Sequence, residues 1–178
     1  MLPNGFISNC LFYGKAKRHK DIRELGSGNV GTMNVRAQIG LGAALLVGLV
    51  DVSKGAAAVY LCSYLRVNVF LGLAAAVLGH IYNLWLGFRG GKGIATTLGG
   101  LVCGMQFISL AIFIIVWLLF YRKLKVDKSN LLGSIAAALF AIGNGPYWSL
   151  ALVWLIVAVK HIQVLRNADL NSAGLTGR

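Results

Sequence analysis

The chain has 178 residues, 57% of them apolar and only 12% charged, against about 25% charged in ordinary soluble domains. A soluble fold of this size buries about 70% of its surface and would leave too much apolar side chain in water, so most soluble folds are excluded and a bilayer is indicated. Yet 17 Lys and Arg stand against 5 Asp and Glu, a formal charge of +12, and the two facts are compatible only if charge is segregated into loops. The cations do concentrate at residues 15–36, 89–92, 122–128 and 160–178. Such an excess reads as nucleic-acid binding or as membrane-facing loops that also handle an anion, and the long apolar stretches decide for the membrane.

In chain order, residues 2–13 (LPNGFISNCLFY) are apolar but fall short of the about 20 residues of a spanning helix. The cations follow this run, the reverse of a signal peptide, so it reads as the end of a membrane helix whose beginning is missing, or as a short half-buried one. Residues 14–38 read as a basic, glycine-containing loop. Residues 39–65 are apolar except at Asp51 and Lys54, and residues 67–88 are charge-free with one histidine, His80. Residues 94–121 and 131–159 are two further charge-free runs.

Each of these last runs is either one tilted helix or a hairpin of two short ones. Loops rich in Lys and Arg tend to stay cytoplasmic, and only hairpins put every basic cluster on that side. Turn signals agree: Gly104 with Gln106 falls near the middle of the first run, and Gly143-Asn144-Gly145-Pro146 in the middle of the second. Half a run rises only about 21 Å against a hydrocarbon core about 30 Å thick, so the halves extend into flanking residues or penetrate part-way. Either topology leaves the C-terminus cytoplasmic. Cys10, Cys62 and Cys103 form neither a disulfide framework nor a metal spacing and read as small apolar packers.

Two segments carry chemistry. Residues 21–36 read DIRELGSGNVGTMNVR, where Gly26, Gly28 and Gly31 let backbone N–H groups converge on an anion. Ser27 and Thr32 add hydroxyls, and Arg23 and Arg36 add charge. The alternative is a flexible loop built of turn residues. Residues 86–97 read LGFRGGKGIATT. Gly90, Gly91 and Gly93 surround Lys92 just before an apolar helix, whose N-terminus exposes unpaired N–H groups and partial positive charge. Thr96 and Thr97 stand in its first turn, and the alternative here is a tight turn bearing one lysine.

Asp51 and Lys54, three apart, share a helix face and can pair, either to stabilise a broken or tilted helix or to support a phosphate site. His80 is either a hydrogen-bonded structural residue or a base placed on the helix that leads into GGKG. His19 reads as solvated in KAKRHK, and His161 opens KHIQVLR, from which it can reach a cytoplasmic site. Five scattered carboxylates make no acidic metal cluster, and no zinc ligand set or nucleophile elbow occurs. Metal-free handling of an anion, without a cofactor, remains.

Together GSGNVGTMNVR, DVSKG, GH followed by GFRGGKGIATT, and the basic C-terminal stretch resemble the bacterial membrane glycerol-3-phosphate acyltransferases that use acyl-phosphate as donor. The resemblance covers nearly the whole chain. It implies an all-α bundle of about seven membrane helices, one integral-membrane domain over residues 1–178 with an external N-terminus and active-site loops facing the cytoplasm, in the bacterial inner membrane. It also implies acyl transfer to the 1-hydroxyl of glycerol 3-phosphate, giving lysophosphatidic acid and phosphate with no metal or nucleotide. The family's motif residues fall on Ser27, Gly28, Asn29, Gly31 and Asn34, and on His80, Gly90, Gly91, Lys92, Gly93 and Thr96. By resemblance Ser27, Asn29 and His80 are catalytic; Gly28, Gly31, Asn34, Arg36, the GGKG residues with Lys92, Thr96 and His161 bind substrate. Backbone N–H groups face charge developing on the acyl carbonyl. The expected partners are glycerol 3-phosphate, acyl-phosphate and membrane lipids, without nucleic acid, for a monomer or weak homo-oligomer.

The chain departs from the family's pattern at three places. Ala37 stands where an arginine is usual, with Arg36 one earlier. After His161, Val164 takes an asparagine's place, Arg166 comes one residue early and no glutamate follows. The N-terminal helix is short. Competing readings are a small anion transporter, for which the helices offer little beyond His80, Asn83, Gln106 and Asn144 to line a path, and a non-catalytic relative, favoured by the departures near His161.

Overall fold

A computed structural model describes residues 21–145 and 147–173; the segment at residues 2–13 with its Cys10, and His19, lie outside the described residues. Those residues form seven α-helices and no strand: α1 Thr32–Gln38, α2 Leu41–Tyr64, α3 Val69–Ile81, α4 Ile94–Cys103, α5 Phe107–Tyr121, α6 Val126–Gly143 and α7 Trp148–Ser172. Single 3-10 turns occupy Ile22–Glu24 and Leu84–Leu86.

The helix ends follow local chemistry. Asn68 caps α3 by accepting the N–H groups of Phe70 (3.1 Å) and Leu71 (3.2 Å), as short polar side chains do at helix starts. The α2 terminus closes with the Val67 N–H donating to the Cys62 carbonyl at 2.9 Å. Both charge-free runs break where their turn signals lie, between Cys103 and Phe107 and between Gly143 and Trp148. In the first break the left-handed residue is Met105, with φ of 55°, and not its glycine neighbour.

Three elements differ from the sequence expectation. Residues 14–38 contain α1, because TMNVRAQ after Gly31 has no helix breaker and buries Val35 in a small cluster with Ile22, Ala43 and Ala44. Helix α6 starts at Val126, taking in Asp127 and Lys128, and α7 runs through the basic segment to Ser172. Charged residues sit comfortably on helix ends that leave the hydrocarbon, so the apolar runs mark the membrane portions and not the helix limits.

Leu41–Tyr64, Val69–Leu86 and Trp148–Ser172 are long and apolar enough to cross a membrane. Only 17% of the apolar window of α2 is buried within the protein, while Leu45, Leu46, Leu49 and Tyr60 stand exposed. That outer face suits lipid. The core gathers around α7, where Trp154 is fully buried, stacks on Phe113 at 4.9 Å and donates its indole N–H to the Ser109 hydroxyl at 2.7 Å.

Helix α4 takes α2, not its hairpin partner α5, as its principal neighbour. Glycines permit this. A Cβ on Gly55 would collide with the Thr96 carbonyl, and one on Gly99 with the Val52 carbonyl, so the two backbones touch directly, as small residues allow in membrane bundles. The contact falls on Val52 and Gly55, one and four residues beyond Asp51.

Candidate active site

The first glycine-rich segment is pinned by one side chain. Asn34 on α1 is 7% exposed. Its amide Nδ2 donates to the carbonyls of Leu25 (3.0 Å) and Asn29 (2.8 Å), and its Oδ1 accepts the Ser27 N–H at 3.2 Å. The Asn29 Oδ1 in turn accepts the Gly31 N–H at 2.9 Å. Gly26 and Gly28 adopt φ of 57° and 68°, the left-handed region open to glycine. The result is a shaped loop with Ser27 and Arg36 exposed and Asn29 half-buried. Thr32 lies against Gly48 of α2, one turn before Asp51.

The second segment is strapped across the end of α3. The Gly90 N–H donates to the Ile81 carbonyl at 3.0 Å. A Cβ at Gly90 would collide with the His80 carbonyl, and one at Gly91 with Nε2 of the His80 ring. These glycines are therefore dictated by closeness to His80. Gly93 (φ 88°) opens α4. Thr96, at the α2–α4 contact, and its neighbour Thr97 are fully buried, and their hydroxyls have no hydrogen-bond partner among the described residues.

Beneath the strap, Asp51 is 5% exposed. Its Oδ1 lies 3.0 Å from the Lys54 ammonium and 3.3 Å from Nδ1 of His80. The expected pairing of Asp51 with Lys54 is present, in an unbroken helix, and it includes His80. On the other side of the strap, the Lys92 ammonium meets Asp127 Oδ1 at 2.5 Å. That oxygen is 3.8 Å from Nε2 of His161. His161 is fully buried; the assignment that satisfies both ring nitrogens has Nδ1–H donating to the Val157 carbonyl at 2.9 Å and Nε2 accepting from the Asn130 amide at 3.2 Å. A polar seam thus runs from α2 through the end of α3, the GGKG strap and the start of α6 to the middle of α7.

A family model for glycerol-3-phosphate acyltransferases matches residues 4–168. The chain belongs to the glycerol-3-phosphate acyltransferase family. A Synechococcus sp. (strain JA-3-3Ab) glycerol-3-phosphate acyltransferase is 44% identical over 83% of this chain and 75% of its own length. One from Listeria monocytogenes (serovar 1/2a, strain EGD-e) is 32% identical over 84% and 78%. Among solved structures, the glycerol 3-phosphate form of PlsY (YgiH), an integral membrane glycerol 3-phosphate acyltransferase, aligns with a TM-score of 0.73 at 28% identity, covering 97% of this chain and 90% of that one. Its lysophosphatidic acid form gives 0.68 at 26% identity, covering 98% and 95%. The all-helical fold and the integral-membrane character read from composition both stand.

In this acyltransferase-family chain, His80, Gly90 and Gly91 come together, Gly93 packs on Val77 and Ile81 of the same helix, and Lys92 and His161 both approach Asp127. Ser27, Gly28, Asn29, Gly31 and Asn34 form their own cluster, linked to α2 by Thr32, and Arg36 stands apart on the exposed face of α1. Asn34 and Thr96 are committed to the loop and to the helix contact. Sequence reasoning passed over Asp127 and Asn130. Their signal is the spacing Asp127–Asn130–Ser134, a polar stripe along one face of α6. The amide that reaches His161 comes from Asn130 on α6, while Val164 stands one turn along α7.

Proposed function

We propose that this protein transfers a fatty acyl group from acyl-phosphate to the 1-hydroxyl of glycerol 3-phosphate, yielding lysophosphatidic acid and inorganic phosphate for phospholipid synthesis. The observation that carries the proposal is the GGKG strap: it holds a lysine and the N-terminus of α4 beside a histidine that faces a buried carboxylate.

Acyl-phosphate is a mixed anhydride, so its carbonyl is already activated and its leaving group is a stable anion. The C1 oxygen of glycerol 3-phosphate bonds to the carbonyl carbon, the bond from that carbon to the phosphate oxygen breaks, and phosphate departs with the electron pair. Lys92 and the positive end of α4 hold phosphate, with the backbones of Gly90, Gly91 and Gly93 close by. Asp51 favours the tautomer of His80 protonated at Nδ1, leaving Nε2 to take the hydroxyl proton once the Gly91 backbone packed on it gives way to the acceptor. Ser27 and Asn29 contact the acceptor on the loop that Gly28, Gly31 and Asn34 shape, and Arg36 adds cationic field. His161 acts from behind Asp127. The protein works in the bacterial cytoplasmic membrane with these loops in the cytoplasm, where the excess of Lys and Arg places them, as one domain, monomeric or weakly associated.

The test is product analysis with detergent-solubilised protein. Lysophosphatidic acid and phosphate are expected in equal amounts, only when acyl-phosphate and glycerol 3-phosphate are both supplied. Equal rates with an acyl thioester would overturn the donor, and no turnover at any chain length would overturn the reaction. Lys92→Ala is expected to abolish phosphate handling and leave membrane insertion intact.

A further inference from the structure

The cation assigned to phosphate already has an anion on it. Lys92 and Asp127 are 26% and 25% exposed, and their charged atoms are in contact. Asp127 is the single carboxylate in a segment that holds Arg122, Lys123, Lys125 and Lys128, yet it is the strap lysine from 35 residues away that it engages. His161 does not hold it. With its Nδ1 proton given to the Val157 carbonyl and its Nε2 accepting from Asn130, His161 is a neutral wall that offers Asp127 no proton. Asp127 is therefore placed by α6 against Lys92, with the uncharged His161 ring behind it at 3.8 Å.

We propose that Asp127 sets the anion affinity of the site: its carboxylate stands on Lys92 as an intramolecular anion that a substrate phosphate must displace. The proposal rests on the reading of Lys92 as a phosphate ligand. The chemistry gives this competition a use. A reaction that takes in two phosphate compounds and releases inorganic phosphate needs a cation that lets the last of these go, and a lysine with a waiting carboxylate is re-paired as phosphate departs. The exchange replaces one anion by another, so Lys92 keeps an anionic partner throughout.

The experiment is phosphate binding by the purified full-length protein in detergent, titrating inorganic phosphate and following 31P line broadening, a readout that needs no turnover. Asp127→Asn and Asp127→Ser, the second keeping a good residue for a helix start, are expected to bind phosphate about fivefold more tightly, the upper worth of a part-exposed ion pair. The gain is expected to vanish when Lys92→Ala is added. Asp169→Asn, the same charge change on the exposed part of α7, is expected to leave binding unaltered. Unchanged or weaker binding in folded Asp127 variants overturns the proposal, as does an equal gain in Asp169→Asn or a gain that persists without Lys92. A protein that passes this test but transfers no acyl group overturns the functional reading alone.

Discussion

Nδ1 of His80 lies 3.3 Å from the same Asp51 oxygen that Lys54 reaches at 3.0 Å. A buried carboxylate shared between a lysine and a histidine holds the ring in one orientation and one tautomer. Asp51→Asn is expected to lower kcat by about 10²-fold, the scale of a general base's contribution, while KM for glycerol 3-phosphate moves little. Asp51→Glu is expected to recover part of the loss. Steady-state kinetics on the two variants checks this; a parallel fall in expression and thermal stability without a kcat effect would assign Asp51 to folding alone.

The Gly91 backbone lies against Nε2 of His80, where a methyl group has no room. Gly91→Ala must move either the ring or the strap, and a shift of about 1 Å at a reacting group costs about 10²-fold. The expected outcome is that kcat/KM falls by that order while helical content by circular dichroism is unchanged. Wild-type kinetics in this variant would remove His80 from the chemistry.

Glycines on the helices separate by what surrounds them. Gly55→Ala drives a methyl group into the Thr96 carbonyl and is expected to destabilise the bundle by about 1–3 kcal/mol. Gly79 on α3 has nothing within 4 Å of its Cβ position, so Gly79→Ala is expected to stabilise by about 0.5–1 kcal/mol. Thermal unfolding in one detergent compares the pair directly.

Met105 occupies the left-handed region with φ of 55° between α4 and α5. A side chain there costs about 1–2 kcal/mol, and glycine is free of that cost. Met105→Gly is expected to raise the unfolding temperature, with activity retained. A lowered temperature would show that packing of the methionine outweighs the strain.

What the sequence made legible is whatever rests on local pattern. The charge-free runs gave the membrane helices, and Gly104 with Gln106 and the Gly143–Asn144–Gly145 stretch gave the two turns. Spacing of three gave the Asp51–Lys54 pair. Contacts between distant segments left weaker marks. GGKG reads as an anion cradle, but its first two glycines are fixed by His80, ten and eleven residues earlier, and nothing local reports that approach. Asp127 was hidden in a cationic cluster because net charge averages over the groups that matter singly. The short helix α1 was hidden by the glycines before it, since composition was read across a boundary that Gly31 marks sharply.

The α2–α4 contact is made of main chain against main chain. Side chains can change rotamer to absorb a substitution, and carbonyl oxygens on two helices cannot. The outer residues of α2, such as Leu45, Leu46 and Leu49, are therefore free to drift among apolar types as the surrounding lipid requires, without altering the register that packs Thr96 and Gly99 of α4 against Gly55 and Val52 of α2. Adaptation to a new membrane and preservation of the reaction are kept on opposite sides of one helix.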